Sequence, residues 1–526
     1  MSDEIIGLEG DGSAMFEAPK GRKDFLFDSA KLLAAAAAAG PFFMAAEQAA
    51  AAELGSTGGD PIATNAVNAA KKFAGITLTK TNEAGLQALD DKNFSGPLWE
   101  KLTGIKLAVV EKPFPQIYST VIAEFIAKSG AIDIIDGSPV WIPDFADKGV
   151  ALPLDSYISK YKAQSTFKDM HPLYRNLSKY KGKNYGFFDD GDIWILYYRK
   201  DIFANPKLRA AYKAKFGKTL RVPVGWDEFS ETAQFITDQL GPKVYGTTMG
   251  RALGNPGNQF YFLQQFRSNG GQFFNPANMK SLVNSPAGVK TMNQILAQNK
   301  ASVPGVEKLD FVSGWVQWLE GKTAMIMAWP PTGRISENYA QADKSFSFLP
   351  KSKIVGKTGY AVVPGGNGEM AGAFVKSVSA DSKNPEAAYL FNQWVTSPSV
   401  SLQRVQLPYT LRDPYRISHY KSKQFWSKWP AARQYLAKLN EGANNGVLDF
   451  VVPGAADYYN ALDRKMTAIY AGKDVQGGLN ELAKEWDAIT KKLGADKQAA
   501  AWRNFLKYTG STKSTTAAKK GQAVTL

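Results

Sequence analysis

Short apolar runs rich in β-branched residues alternate with amphipathic stretches along much of the chain. The apolar run 105–110 predicts a strand, and the run 132–135 predicts another. Between them Pro115 opens a predicted helix, because the apolar residues that follow share one helical face: Ile117, Val121 and Phe125. Strand, helix and strand within about thirty residues predict a βαβ unit with a parallel pair of strands.

The same alternation recurs further along the chain. Residues 193–198 and 323–329 predict strands. Two helix starts combine a capping residue with a proline at the first helical position, Ser285-Pro286 and Asn384-Pro385. Residues 454–508 predict mainly helices, and the polar stretch 509–526 predicts a disordered tail. Strands and helices that alternate in this way predict an α/β protein with open, twisted sheets.

The N-terminal region has the pattern of an export signal. Arg22 and Lys23 precede an apolar stretch of 15 residues, 32–46, which is too short to span a bilayer comfortably. Small residues near position 52 are typical of a cleavage site, so we expect 1–52 to be a signal peptide with an N-terminal extension. The string around Arg22 resembles a twin-arginine signal but has Lys23 where the second arginine belongs. The Gly-, Ala-, Asn- and Thr-rich stretch 53–73 is interpreted as a linker. The export signal predicts that the protein is located in the periplasm.

Composition excludes several classes of site. The 526-residue chain has no cysteine and two histidines, His171 and His419, so thiolate chemistry and a His-rich metal site are excluded. Both histidines are expected at the surface. The net charge is +15. It would rise to +19 without residues 1–52, which carry four basic and eight acidic side chains. No phosphate loop and no aromatic-basic RNA motif is present, so no nucleic-acid partner and no cofactor are expected.

Several strings over about residues 74–500 resemble, in constant order, one family. It is the extracellular solute-binding proteins of ABC importers, in the carbohydrate-binding group called family 1. Each string is weak alone and the joint order is specific. The strings are Leu98 to Ile105, Asp133 to Asp136 with Trp141 to Pro143, Gly149 to Asp155, Tyr185 to Phe187 with Leu196 to Asp201, Pro223 to Phe229, and Glu320 to Met325.

The resemblance implies the two-lobe fold of periplasmic binding proteins, of the type II kind, with discontinuous lobes joined by a hinge. Lobe 1 is expected to comprise 74–187 and 350–405, and lobe 2 to comprise 195–345 and 406–508. The ligand would lie in the cleft between them, because ligands of open α/β sheets bind beyond the carboxyl ends of the strands. Such a protein is a monomer that captures a sugar or polyol by lobe closure and delivers it to an ABC permease.

Aromatic residues at strand ends are candidates for stacking on a sugar ring. Trp141 follows the predicted strand 132–135 after a turn, and Trp329 ends the predicted strand 323–329. By the resemblance both fall among cleft residues, and Trp329 matches a stacking platform. Phe114 lies at a helix start after the strand 105–110, a position that faces ligands in this fold. Core packing is the alternative for any single aromatic residue.

Polar candidates come from three loops. Asp190 and Asp192 precede the strand 193–198, and carboxylates accept strong hydrogen bonds from hydroxyl groups. A solvated turn is the alternative. The amides of the loop 251–259 could donate to and accept from neighbouring hydroxyls. The arginine of the last loop could hold a hydroxyl pair, a carboxylate or a phosphate, and a surface salt bridge is the alternative. The amide candidates are Asn255, Asn258 and Gln259, and the last loop contributes Tyr409 and Arg412.

Three other functions remain open from the sequence. The same scaffold could bind a sugar phosphate, a polyamine or another charged solute. A periplasmic glycan-active enzyme would need two opposed carboxylates; the neighbouring Asp190 and Asp192 cannot easily flank a bond, and nothing in the sequence nominates a partner from elsewhere. A structural or adhesive surface protein would have no cleft. The binding protein without catalysis or metal is the prediction that we carry forward.

Overall fold

The computed structural model describes residues 59–254, 258–339, 347–370 and 373–509. The predicted signal peptide, Asn255 and the predicted tail beyond residue 509 lie outside this range. Thirteen strands form two main sheets and two short ribbons. The strands are β1 Thr77–Glu83, β2 Lys106–Lys112, β3 Ile134–Gly137, β4 Lys179–Tyr180, β5 Lys183–Asn184, β6 Phe187–Phe188, β7 Ile195–Arg199, β8 Tyr245–Thr248, β9 Thr323–Ala328, β10 Thr358–Ala361, β11 Glu369–Met370, β12 Val375–Val378 and β13 Val447–Leu448.

Helices cover both sheets, and none in the described part of the chain is long and apolar enough to cross a membrane. In chain order they are α1 Pro61–Ala70, α2 Leu86–Asp90, α3 Gly96–Thr103, α4 Phe114–Ile126, α5 Ile142–Asp147, α6 Asp155–Lys160, α7 Thr166–Asp169, α8 Lys200–Phe203, α9 Pro206–Phe216, α10 Trp226–Leu240, α11 Asn258–Ser268, α12 Pro286–Lys300, α13 Phe311–Leu319, α14 Pro331–Ser336, α15 Pro385–Val395, α16 Pro398–Arg404, α17 Ile417–Tyr420, α18 Lys423–Trp426, α19 Ala432–Asn444, α20 Ala455–Tyr470, α21 Val475–Leu493 and α22 Ala495–Thr509.

The first sheet has the order β2-β1-β3-β12-β6. Its first three strands are parallel, and β12 runs antiparallel to both β3 and β6. The predicted strand–helix–strand unit is β2, α4 and β3. Its two strands are parallel, as predicted, but β1 lies between them, so the crossover spans one strand rather than joining neighbours. We call the part of the molecule around this sheet the first lobe.

The second sheet has the order β10-β7-β9-β8 and is the centre of the second lobe. β8 and β9 are parallel, whereas β7 runs antiparallel to β9 and to β10. The chain enters this sheet between β6 and β7 and returns to the first sheet between β10 and β12. A third segment, 405–416, runs from α16 back to the second lobe. The assignment of 350–405 to lobe 1 is therefore wrong at its start, because β10 pairs with β7.

The predicted linker 53–73 is wrong from Asp60 onward. Asp60 caps α1 by accepting a hydrogen bond from the backbone N–H of Ile62, and a proline occupies the first helical turn. The apolar side of α1 is buried against α15 of the first lobe, where Gln393 donates to the carbonyl of Ile62 at 3.0 Å. Alanine and asparagine made this stretch resemble a linker, but alanine is the strongest helix former.

The last three helices form a bundle that is anchored on the second lobe and also reaches the first. Trp486 and Trp502 pack on Phe274 with ring centroids 5.0 and 5.4 Å apart. On the other side Lys497 of α22 lies 3.1 Å from the carboxylate of Asp147 in α5. The N–H of Gly454, just before α20, donates to Asp144 at 3.1 Å. The C-terminal helices therefore bridge the two lobes.

Candidate functional site

Several of the predicted site residues lie where the first sheet ends and the chain crosses between the lobes. β1 ends at Glu83 and β3 ends at Gly137, and both strands present their carboxyl ends to this region. The acidic string 189–192 connects β6 to β7, which belong to different sheets. The geometry therefore brings strand ends and a lobe crossing together, as expected of a cleft in this kind of fold.

An aromatic cluster on the first lobe contains two of the predicted residues. The rings of Phe114 and Trp141 are stacked with centroids 5.1 Å apart and an interplanar angle of 30°. Tyr118 and Phe145 pack on Trp141 at 5.7 and 6.2 Å. Trp141 is only 5% exposed, whereas Phe114 is half-buried. Phe114 is thus the more accessible ring, and the buried Trp141 packs against it.

A second aromatic cluster surrounds Trp329 on the other lobe. Trp194 meets Trp329 edge-on at 5.0 Å, and Phe311 does so at 5.7 Å. The hydroxyl of Tyr197 donates to the carbonyl of Trp329 at 3.2 Å and fixes the backbone there. A cavity of about 20 Å³ lies beside this indole, and it is lined by Trp194, Gly250, Tyr261, Phe311, Trp315 and Trp329. Trp329 is half-buried, so one part of its ring remains accessible.

Arg412 lies fully buried beside Asp136, to which it donates at 2.7 Å. Asp136 also accepts from Lys80 at 2.7 Å and from Lys376 at 2.8 Å. Burial raises the pKa of Asp136, but the three cations outweigh it and hold the pKa well below its ordinary value. Lys80 makes a further ion pair with Asp91. Arg412 is therefore part of a buried ionic cluster rather than an isolated cation.

The guanidinium of Arg412 still has unused hydrogen-bonding capacity. Its Nε lies 3.6 Å from Asp189, and its Nη1 lies 3.6 Å from Asp190, both beyond hydrogen-bond distance. Among the described residues neither nitrogen has a hydrogen-bond partner. The guanidinium is 4.9 Å from the ring centroid of Phe374, which is in turn 5.9 Å from Phe114. Arg412 thus connects the ionic cluster to the first aromatic cluster.

Asp190 and Asp192 approach a third carboxylate, Asp413, with one oxygen of each within 4.8 Å of the others. Burial raises the pKa of Asp190 to about 6 and that of Asp192 well above its ordinary range. Asp192 accepts from the N–H of Ala373 at 2.8 Å. Arg334 of α14 donates to Asp413 at 3.1 Å, so a guanidinium partly balances the charge of this carboxylate. The trio ties the lobe crossing 189–192 to the segment 405–416.

The remaining predicted residues are not gathered at this place. Asn258 is buried and donates to Asp463 at 2.7 Å while accepting from Tyr470 at 2.9 Å, so its amide joins α11 to α20. Its predicted role in ligand contact is not supported by this geometry. Gln259 is half-buried at the start of α11, and Tyr409 is buried in the loop after α16. Asn255 is outside the described residues.

Glu83 is the residue that sequence reasoning missed. It is the last residue of β1, is half-buried, and has no hydrogen-bond or ion-pair partner among the described residues. Burial raises its pKa to about 7, Arg412 opposes this rise, and the carboxylates of Asp190 and Asp136 add to it. The position of a polar residue at the carboxyl end of a parallel strand could have identified it.

Both histidines are buried, so the expectation of surface positions is wrong. His419 Nδ1 lies 3.4 Å from the donating N–H of Tyr415, which leaves the proton on Nε2, 3.0 Å from Ser401 Oγ. In this tautomer His419 donates to Ser401 and cannot act as its base. His171 lies 3.0 Å from Asn444 and has no serine partner in the described part of the chain. Neither histidine forms a nucleophilic dyad.

Comparisons with known proteins agree with this architecture. A curated relative is the "Probable amino-acid ABC transporter periplasmic-binding protein" of Sinorhizobium fredii. It is 24% identical over 345 residues, which are 64% of this chain and 72% of that protein. Among solved structures, a solute-binding protein of Agrobacterium radiobacter K84 in complex with ribitol is similar, with a TM-score of 0.65 and 21% identity. It covers 79% of this chain and 99% of its own.

Two further solved structures show the same fold. The maltose-bound MalE3 of T. maritima has a TM-score of 0.64 and 18% identity, and covers 79% of this chain and 100% of its own. A solute-binding protein of Agrobacterium vitis S4 with bound D-mannitol has a TM-score of 0.62 and 21% identity, and covers 80% and 99%. The family model of the bacterial extracellular solute-binding proteins matches residues 78–401, more than half of the chain. The chain therefore belongs to the bacterial extracellular solute-binding protein family.

Proposed function

We propose that this solute-binding protein of an ABC transporter captures a neutral sugar or polyol between its lobes and delivers it to a membrane permease. The observation that carries the proposal is the half-buried Trp329, held edge-on by Trp194 and Phe311 so that its position is fixed. A rigid indole offers a flat apolar surface to the apolar face of a sugar ring. Relatives of the same fold with bound ribitol, mannitol and maltose support this ligand class.

Polar groups at the carboxyl ends of the first sheet would supply directed hydrogen bonds. The carboxyl of Glu83 has no partner in the described chain, and the Nε and Nη1 of Arg412 make no hydrogen bond. A ligand hydroxyl can donate to a carboxylate and accept from a guanidinium, so neighbouring hydroxyls suit this pair. Asp190 and Asp192 would add two carboxyl groups to this polar set. They lie on the segment 189–192, which crosses between the lobes and would bend when the lobes move.

The alternative of a sugar phosphate is less well supported by the charges. The buried cations Lys80, Lys376 and Arg412 already share the carboxylate of Asp136, so little positive charge is free for an anionic ligand. The unpaired Glu83 would also repel an anion. A polyamine or amino acid is the second candidate, because an ammonium group could pair with Glu83, and the curated relative is a probable amino-acid binder.

The geometry supports binding without catalysis. A glycan-active enzyme needs an acid and a base that flank one bond. Asp190, Asp192 and Asp413 lie together on one side, at the lobe crossing, and His419 has the wrong tautomer to activate Ser401. We also propose that the protein is a monomer and is exported to the periplasm. If the twin-arginine export machinery recognises the Arg22-Lys23 string, export follows that route.

Calorimetric titration and thermal shift of the exported protein test the ligand class. The panel contains ribitol, mannitol, maltose, a sugar phosphate, spermidine and amino acids, at low and high salt. Saturable binding of one neutral sugar or polyol, insensitive to salt and weakened in Trp329→Ala, is the expected result. Salt-sensitive binding of a charged solute alone would replace the proposed class with the second candidate or with an anion. Turnover of a chromogenic glycoside would contradict the absence of catalysis.

A further inference from the structure

Exposed cations of this protein are paired with carboxylates at many places on its surface. Lys218 lies 3.0 Å from Glu231, and Arg221 lies 2.9 Å from Glu228. On the C-terminal bundle Lys465 lies 3.1 Å from Glu481. Such pairs cancel much of the local field, so the high net charge of the chain is not uniformly expressed at its surface.

Within the segment 414–440 the cations outnumber the carboxylates. Residues 414–440 contain six lysines and arginines and no aspartate or glutamate. Arg416 is buried, and Lys438 lies 2.6 Å from Glu441. The other four form no ion pair among the residues that the structure describes. We call these four the basic patch, and they are Lys421, Lys423, Lys428 and Arg433.

A second carboxylate that contacts this segment, Asp169, does not neutralise the basic patch. Asp169 accepts from the hydroxyl of Ser418 at 2.6 Å, at the start of α17. The same carboxylate lies 3.7 Å from the guanidinium of the buried Arg416, which balances its charge. Within the described part of the chain, no carboxylate therefore pairs with the basic patch.

An aromatic residue lies among these cations. Trp426 is half-buried, and the guanidinium of Arg433 lies 5.0 Å from its ring centroid. Its indole N–H donates to the carbonyl of Tyr420 at 3.1 Å, which fixes the ring. Below it, the buried Trp429 packs on Tyr435 at 5.3 Å and holds the segment on the second lobe.

We propose that the basic patch, with Trp426, binds an anionic lipid surface. Clusters of lysine and arginine bind anionic headgroups, each contributing roughly fivefold in affinity near the surface. Tryptophan is enriched at the membrane–water boundary, where its ring is apolar and its N–H is polar. Long lysine stems keep their charged ends at the headgroups while the stems cover apolar surface. This proposal uses residues other than those of the ligand site.

The observations favour a lipid surface over an acidic protein. α17 and α18 are each only four residues long; Lys421 follows α17 and Lys423 begins α18, so these charges lie on long side chains at the ends of short helices. Mobile headgroups can arrange themselves around such charges, whereas a specific protein partner requires fixed, complementary geometry at its central residues. For a protein that passes its ligand to a membrane permease, weak attraction to the bilayer would shorten the search for that permease.

Vesicle binding of the exported protein tests the proposal directly. The probe is a set of vesicles of phosphatidylcholine alone and of phosphatidylcholine with phosphatidylglycerol, in co-sedimentation at low and high salt. The variant is Lys421→Gln/Lys423→Gln/Lys428→Gln. The matched control, Lys484→Gln/Lys491→Gln/Lys492→Gln on α21, removes the same charge from exposed lysines without ion-pair partners in the described chain. Equal melting temperatures of the two variants would exclude misfolding.

The proposal expects binding to the vesicles with phosphatidylglycerol only, and weaker binding as salt rises. The patch variant should lose roughly 100-fold in affinity, at about fivefold per lysine, and the control should lose much less. No binding of the unaltered protein, or equal loss in both variants, overturns the proposal. The patch variant could instead bind the vesicles as well as the unaltered protein does, but bind less well to the permease reconstituted in neutral-lipid vesicles. That result would assign the patch to a protein partner. Ligand affinity in solution should be the same in all three proteins.

Discussion

The two sides of the proposed cleft are built from different chemistry. On the first lobe the strand ends hold a fully buried ionic cluster in which Asp136 is shared by three cations. On the second lobe the corresponding place is occupied by indole and phenyl rings around Trp329. The first side combines polar groups with the half-buried ring of Phe114, whereas the second side offers mainly the indole of Trp329, and a sugar or polyol has both polar and apolar surface.

The difference between the two sides also separates residues that should determine stability from residues that should determine ligand affinity. Charges at zero exposure are costly to bury and become more costly when a partner is removed, so the first side should determine whether the lobe folds. Trp329 is half-buried and can lose its ring at a smaller structural cost. The variants below test whether these two roles are indeed divided between the two sides.

Removing the shared carboxylate should have the largest effect. Asp136→Asn leaves Lys80, Lys376 and Arg412 with one buried negative partner fewer, and we expect a loss of about 3–5 kcal/mol in the free energy of unfolding. Urea unfolding followed by tryptophan fluorescence measures it. The control is Asp227→Asn, whose side chain is 73% exposed and should change stability by no more than about 0.5 kcal/mol. Equal effects of the two substitutions would contradict the structural role of the cluster.

Two tryptophan substitutions compare the aromatic residues of the two lobes. Trp141→Ala removes a buried ring from a packed cluster and should cost about 3–5 kcal/mol of stability. Trp329→Ala should cost less stability but weaken the ligand by about 2 kcal/mol, or roughly 30-fold, as expected of a central aromatic contact. Thermal unfolding and titration calorimetry on the same samples separate the two effects. If Trp141→Ala folds normally and alone loses the ligand, the assignment of roles is reversed.

The unpaired carboxyl of Glu83 predicts a pH dependence. Its pKa is raised to about 7 in the folded protein, so folding retains a proton that the unfolded chain releases near pH 4. The contribution of this proton to the free energy of unfolding is fully present below about pH 4 and is lost as the pH rises through 7. Asp190, with a pKa raised to about 6, acts in the same direction.

Glu83→Gln should therefore gain stability relative to the unaltered protein between pH 5 and pH 8, by about 1–3 kcal/mol. Unfolding curves at several pH values measure this difference. The control, Glu100→Gln, alters an exposed glutamate without a partner in the described chain and should run parallel to the unaltered protein. A Glu83→Gln curve that is also parallel would show that this carboxyl titrates normally.

The smallest expected effect concerns the bridge made by the C-terminal helices. Partial burial raises the pKa of Asp147, but the ammonium groups of Lys181 and Lys497 outweigh it and hold the pKa below its ordinary value. Lys497 is 54% exposed, so its pair with Asp147 should contribute only about 0.2–1 kcal/mol to lobe closure. Lys497→Ala should weaken ligand affinity by about 1.5- to 5-fold at low salt and not at high salt. Lys491→Ala, with no partner in the described residues, should have no such effect.

Fold class and element order were predictable because strand and helix periods are local properties. The helix after Pro115 and the helix after Ser285 begin within a residue or two of their expected positions, as do the strands that begin at Lys106 and Thr323. β10 was assigned to the wrong lobe because strand pairing depends on contacts that are distant in the chain. The helix at Pro61 was missed because its composition is that of a linker, and its burial against α15 is a tertiary effect.

The candidate site was predictable only in part for a related reason. Trp329 and Phe114 were nominated because each occupies the end of a recognisable element, and their contact with a ligand stays a prediction. Arg412 and Asp190 were nominated as residue types, but a sequence does not show that both are buried beside other charges. Glu83 had no motif, and its importance arises from the absence of a partner, which only the folded arrangement reveals.

The distance between the lobes tests the central claim most directly. The chain has no cysteine, so Ser159→Cys on α6 and Ala214→Cys on α9 would carry two spin labels at exposed positions without background labelling. We expect ribitol, mannitol, maltose or a related neutral sugar to shift the distance distribution to one shorter value, and Trp329→Ala to suppress that shift at the same concentration. A distribution that no sugar or polyol changes, while a sugar phosphate or polyamine does, would contradict the proposed capture of a neutral ligand.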